Sequence, residues 1–233
     1  MEALSKILQA ARGASGAQKL PETDQVFGSV ARSVQEHMAG FDASHDFNHV
    51  LRVVALAQSI MAAESKGDDA PHPSVDPVIV ILAALLHDVT DKKYAEGAAW
   101  DSKLTRILGD AGVDVQGPLA TAVVTVVNNV SYSTEVRDPS HTLSILATHP
   151  ELGIVQDADR LDAIGAVGIG RAFTFGGAKM PLADMQLSRD HMTEKLGKLE
   201  SMMKTNTGRR LAKERTQRIL TFSKWWDEEI QLY

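Results

Sequence analysis

The stretch AALLHDVTDKKY, residues 83–94, decides how the chain is read. It closes an apolar run that starts at Val78 and stops abruptly at His87 and Asp88. A segment apolar nearly all round, over 77–88, predicts a helix buried on every side. The last carbonyls of a helix need polar partners, and an imidazole suits that negative end. A carboxylate does not, because the same dipole repels it. Either His87 and Asp88 merely terminate the helix, or they carry two ligands to one cation.

Outward from this run the periodicity is helical almost everywhere. Residues 2–12 predict a short helix, followed by the polar break GASGAQKLPET. Thr23 or Asp24 can cap a helix running to about Gly40, and Ser44 the next, through about Ser65. On the latter, His49, Val53, Leu56 and Ile60 share one face. KGDDAPHPSVDP is a loop. Further helices are expected over 95–110, 117–130, 151–164, 165–174, 184–204 and 208–231. The β-branched run TAVVTVVNNV suits a strand by propensity, but its helical surroundings favour a buried helix. The fold class is therefore all-α, an irregular multi-helix bundle. Residues 1–22 form an N-terminal helix and polar break, and 23–233 a single domain that includes the C-terminal helices.

A chain of 233 residues, 44% of them hydrophobic, suits one core of this kind. The net charge of −6 argues against nucleic acid as a partner. It leaves room for a small anionic substrate, since a metal and a few local cations can dominate one cleft. With no Cys there is no disulfide, no thiolate metal site and no Cys nucleophile. MEALSKILQAARG lacks the apolar core of a signal peptide. No apolar stretch reaches the ~18 residues of a membrane span. The expectation is a cytoplasmic protein with no membrane partner; a homodimer is compatible with the sequence.

Three segments place His or Asp at the edge of apolar faces: SHDFNHVLRVV, ALLHDVTDKKY and IVQDADRLDAIG. Two imidazoles and two carboxylates from three helices make a mixed nitrogen and oxygen site. Such sets suit Mn²⁺, Fe²⁺, Co²⁺, Mg²⁺ or Zn²⁺ and leave positions open for water and substrate. A His-Asp pair alone is weak evidence, and the chain has two, His45-Asp46 and His87-Asp88.

The order His49, then His87-Asp88, then Asp159 resembles the HD-domain phosphohydrolase superfamily. HDFNHVLRV, LLHDVTDKKY, IVQDADRLDAIGAVGIGRAF and HMTEKLGKLESMMKTNTGRRLA are similar to segments of its small stand-alone members of the YpgQ and YedJ type, over residues 25–225. The resemblance implies an all-helical bundle with a metal site between buried helices. It implies His49, His87, Asp88 and Asp159 as ligands of one divalent ion per chain, Mn²⁺ first and Fe²⁺, Co²⁺, Mg²⁺ or Zn²⁺ as alternatives. Asp159 rather than Asp157 falls in the superfamily's Ala-Asp-x-Leu pattern, here 158–161, and residues two apart on a helix point apart. Asp162, one turn beyond Asp159, is placed to support a ligand. The implied activity is metal-dependent phosphohydrolysis of a phosphorylated small molecule. In this branch that is a nucleotide, with a nucleoside triphosphate cut to monophosphate and pyrophosphate.

Other polar residues near these motifs are candidates for the same cleft. Asp88 and Asp91 are the candidate catalytic acids, with Asp91 placed to orient or deprotonate water or to cap the next helix. Arg52, Lys92 and Lys93 can meet phosphate oxygens, though each also reads as surface charge. His45 lies one turn before His49. Arg160 and Arg171 can hold phosphate or pair with acids, and His191, Lys195 and Arg210 fall in the branch's C-terminal motif. The run GRRLAKERTQR reads as a solvated helix face, and Trp225 and Trp226 as packing anchors. Two alternatives stay open. One is a dinuclear enzyme, a phosphodiesterase or iron oxygenase, using His141 and His149. Against it, the 117–130 helix carries only Asn128 and Asn129. The other is a non-catalytic binder on the same fold.

Overall fold

The structure is a computed structural model that describes residues 1–13, 20–21, 23–65, 75–89, 100–194 and 196–231. Among them the regular structure is helical, with no strand. α1 (Glu2–Gly13) buries Leu4, Leu8 and Ala11. α2 (Gln25–His37) ends in a 3-10 turn at Met38–Gly40. α3 (Phe47–Glu64) starts later than the Ser44 cap predicts. Its cap is Asp46, whose carboxylate accepts from the His49 N–H at 3.1 Å. The first His-Asp pair is thus a helix start. Ser44 is buried instead, with its hydroxyl on Asp42 and His45.

α4 (Pro77–Leu86) is the centre of the bundle. Asp76 caps it through the Val78 N–H at 2.8 Å, and Pro77 occupies the first turn, where no N–H is needed. Val80 through Leu86 are fully buried. Each large side chain among them is worth roughly 1.5–3 kcal/mol on burial. That outweighs the few tenths per residue by which Val and Ile disfavour a helix. α4 packs against α2, α3, α6 (Pro118–Asn129) and α9 (Glu151–Asp162). The β-branched run on α6 is helical for the same reason, with Val123, Val126 and Val127 buried.

α5 (Trp100–Asp110) covers the described part of the helix expected over 95–110. α7 (Tyr132–Arg137) and α8 (Pro139–Thr148) were not anticipated; Ser131 and Asp138 cap them through Thr134 N–H and His141 N–H. α10 (Gly165–Lys179) runs past the predicted end at 174. The single helix expected over 184–204 is instead α11 (Met185–Glu194) and a 3-10 segment, Leu196–Met202. α12 (Asn206–Ile230) closes the bundle. Gly165, at φ 74°, reverses the chain between α9 and α10, and a Cβ there would meet Arg215 Cγ at 3.0 Å. Among the described residues no helix is long and apolar enough to cross a membrane.

Candidate metal centre

Three helices bring four side chains around two facing imidazoles. His49 comes from the first turn of α3, His87 and Asp88 from the end of α4, and Asp159 from α9. The two Nε2 atoms stand 3.1 Å apart. Asp88 Oδ2 lies 3.2 Å from His49 Nε2 and 3.5 Å from His87 Nε2. Asp159 Oδ1 lies 3.6 and 3.7 Å from the same atoms. Both histidines are buried.

The outer ring nitrogens are already committed. His87 Nδ1 donates to the Ala84 carbonyl at 2.9 Å, and His49 Nδ1 to Asp162 Oδ2 at 2.7 Å. Carbonyl and carboxylate oxygens only accept, so each Nδ1 carries a proton. Neutral rings then turn two lone pairs toward two carboxylate oxygens. Such a set repels itself unless positive charge sits among its members. In the metal-free chain a proton supplies it. Burial opposes charge on His49, but the bond to Asp162 and the nearby Asp88 carboxylate outweigh burial and raise it to about 9. Burial likewise works against an ionised Asp88, yet His87, His49 and His45 together hold its carboxyl far below the usual range.

The chemistry of these donors fits a divalent ion better than it fits a proton. Asp88 Oδ2 is buried and finds no hydrogen-bond partner among the described residues, for all its closeness to His49. His49, His87 and Asp159 offer ligand atoms within 4.8 Å of one another. The separations, 3.1 to 3.7 Å, are less than twice a metal–ligand bond of about 2.1 Å, so one ion can reach all three. These residues form a potential metal site of mixed nitrogen and oxygen donors.

Around it lies a ring of fixed charge. Asp162 accepts from His49, from Arg52 Nε at 2.8 Å and Nη2 at 3.0 Å, and from Arg171 Nη1 at 3.1 Å. Burial would raise its carboxyl, and the bonds to His49 and Arg52 hold it well below the usual range instead. Arg171 Nε also donates to the Ser44 carbonyl at 2.6 Å. His45 sits edge-on to His49 with ring centres 6.0 Å apart, and its Nδ1 meets Ser44 Oγ at 2.6 Å. The Asp42–Ser44–His45 chain escaped the sequence reading because those residues pass for ordinary helix-start residues.

Other candidates fall elsewhere. Arg160, a candidate for phosphate or for an acid partner, is buried on the far side of α9. Its Nη1 donates to the Met202 carbonyl at 2.9 Å and its Nη2 to Glu135 at 2.6 Å. One residue beyond Asp159 is 100° around the helix, which turns Arg160 away. Asp157 is fully buried and accepts from Lys204 N–H and Thr205 N–H, each at 2.8 Å, and from Thr205 Oγ1 at 2.7 Å. It anchors the start of α12 and has no part in the cluster. His191 is exposed on α11. His141 is exposed on α8 and His149 follows its end; neither joins the cluster. Asp91, Lys92 and Lys93 lie outside the described residues.

Buried His and His-Asp ends of adjacent helices, met by an Asp from a third, define a class. A family model described as HD domain matches residues 46–164, about half of the chain, and the chain belongs to that family. Within it the chain is similar to YpgQ of Bacillus subtilis strain 168, at 36% identity over 200 residues, 84% of this chain and 90% of YpgQ. The crystal structure of B. subtilis YpgQ in complex with ADP matches with a TM-score of 0.63 and 31% identity, over 88% of this chain and 95% of that one. An HD-superfamily hydrolase of Bacillus thuringiensis matches with a TM-score of 0.64 and 27% identity, over 90% and 98%.

Proposed function

We propose that the chain is a metal-dependent phosphohydrolase that cuts a nucleoside triphosphate to monophosphate and pyrophosphate. The observation that carries this reading is the convergence of His49 Nε2, His87 Nε2, Asp88 Oδ2 and Asp159 Oδ1, with Asp88 Oδ2 buried and unpartnered. Similarity to an HD-superfamily hydrolase supports hydrolysis, and similarity to a protein crystallised with ADP supports a nucleotide. One divalent ion per chain, Mn²⁺ by preference, would be held by His49, His87, Asp88 and Asp159. Such an ion supplies Lewis-acid polarisation of a phosphoryl oxygen and acidifies water.

In this reading a water oxygen bonds to the α-phosphorus, the bond to the αβ-bridging oxygen breaks, and pyrophosphate leaves. Asp91 is the proposed base, and Lys92 and Lys93 the proposed phosphate partners. Arg52 spends its Nε and Nη2 on Asp162, so its part is positive charge at the cleft rather than a second fork to phosphate. His45, beside His49, is the proposed donor to a substrate oxygen. The test is a screen of nucleoside mono-, di- and triphosphates on protein purified without chelators and loaded with Mn²⁺, with products separated by anion exchange. Triphosphate consumed with release of pyrophosphate is expected. No turnover of any nucleotide at full metal occupancy refutes the reading.

A further inference from the structure

We propose that Asp162 is a positioning residue of the metal centre, which fixes His49 in the tautomer that presents a bare Nε2 to the cluster. The inference rests on the reading of His49 as a ligand. Asp162 lies in the last turn of α9, with a side chain 2% exposed. Its Oδ2 accepts from His49 Nδ1 at 2.7 Å, Arg52 Nη2 at 3.0 Å and Arg171 Nη1 at 3.1 Å, and its Oδ1 from Arg52 Nε at 2.8 Å. Arg171 is itself tied to the Ser44 carbonyl at 2.6 Å, so α3 and α10 grip one carboxylate and the segment before α3 steadies one of the arginines.

A neutral imidazole has one proton to place. The acceptor at one ring nitrogen decides which nitrogen carries it. With Asp162 at Nδ1 the proton stays there and Nε2 is bare. Without an acceptor nothing holds it at Nδ1, and it can settle on Nε2, the atom an ion needs. The two arginines keep Asp162 from being a ligand itself. Both of its oxygens are engaged, and they face the nitrogen of His49 that points away from the cluster.

The bond count separates the role of the acceptor from that of the charge. In Asp162→Asn the amide oxygen can take the place of Oδ2 and keep His49, Arg171 and Arg52 Nη2. The amide NH₂ then opposes only Arg52 Nε. This variant loses the charge and keeps the tautomer. Asp162→Ala loses both.

The experiment is calorimetric titration of Zn²⁺ into metal-free wild type, D162N and D162A. Long-range ¹H–¹⁵N spectra of the Zn²⁺-loaded proteins assign the protonated nitrogen of His49. Wild type is expected to bind with a proton at Nδ1. D162N is expected within about tenfold of wild type with the same tautomer, and D162A weaker by about 10–100-fold. D162A binding as tightly as wild type overturns the inference. So does a wild-type His49 whose Nδ1 carries no proton. If D162A does not fold, D162N decides: loss beyond about a hundredfold, or a changed tautomer, overturns the inference. Wild type that takes up no Zn²⁺ refutes the ligand reading and this inference with it, whereas tight wild-type binding with an indifferent D162A refutes this inference alone.

Discussion

The two acids of the Asp157-Ala158-Asp159 triplet should behave as opposites. In Asp157→Asn the amide oxygen can take the place of Oδ2 and keep both bonds from Thr205. The amide NH₂ then faces the Lys204 N–H, which Oδ1 had accepted. One donor left unpaired in a buried place costs about 1–3 kcal/mol. Loss of a negative charge at the start of α12 adds about 0.3–1 kcal/mol. Part is recovered, because burial already pushes the Asp157 carboxyl above its usual range against the bonds from Thr205 and Lys204. A net loss of about 2.5 kcal/mol lowers Tm by roughly 5–10 °C in a chain of this size. Metal content should stay near wild type. Asp159→Asn removes a charge from the cluster, and its side chain is 29% exposed. Its Tm in EDTA should match wild type, while its metal content collapses. The assay is elemental analysis of reconstituted protein beside thermal melts in EDTA. If D157N loses the metal while D159N keeps it, the assignment is off by two residues.

Four further outcomes are expected. EDTA should lower the Tm of metal-loaded protein, since an ion bound only to the native state at a hundredfold to thousandfold excess over Kd adds about 3–4 kcal/mol; an unchanged melt on protein shown to contain metal counts against the site. Metal uptake at pH 7.5 should release about one proton, because His49, raised to about 9, is charged in the metal-free chain; calorimetry in buffers of different ionisation enthalpy reads this directly, and a signal independent of buffer contradicts it. The same raised value gives the metal-free chain stability that is full below the ordinary 6.5 and lost as pH climbs through about 9. Finally, burial would raise the Glu135 carboxyl, but Lys204 and Arg160 hold it below its ordinary 4.5. Its stabilisation is therefore full above that pH and lost as pH falls through the lowered value. The Tm gap between wild type and Glu135→Gln should narrow below pH 4.5; a constant gap would show that the pairs contribute nothing through charge.

How much of this was legible in the sequence depends on what kind of signal each element leaves. α4 announces itself, because a run apolar on all sides has no place but the centre of the bundle. α7 and α8 did not. They are short, and several of their apolar residues, Val136 and Leu143 among them, face solvent, so no stripe marks them. Their caps were readable nonetheless: Asp138-Pro139 is a helix start by residue type alone. The change from α-helix to the 3-10 segment left no comparable mark. In the site, the residues brought together come from helices whose apolar faces are strong. The partners that hold those residues in place do not show in sequence. Ala84 holds His87 through a backbone carbonyl, and Arg171 reaches Asp162 from another helix.

α9 shows how the face of a helix, rather than adjacency in sequence, assigns partners to its polar residues. Nearly every residue of this helix is buried, its polar ones included, so each polar side chain must find a partner on whichever neighbour it faces. Asp159 and Asp162 are three apart, 300° around the axis, and share the side toward α3, where His49 and Arg52 await them. Asp157 and Arg160 are also three apart and share the opposite side. There they meet the segment around Met202 to Thr205, with Glu135 completing the set. Arg160 was open to phosphate or to an acid partner, and the acid it meets is Glu135. By face it belongs with Asp157. Two residues, a turn of 200°, separate Asp157 from Asp159, and a single 100° step takes Arg160 away from the cluster. One short helix therefore serves two structures at once, the candidate metal centre on one side and the seat of α12 on the other, and a change on either side should be felt on that side first.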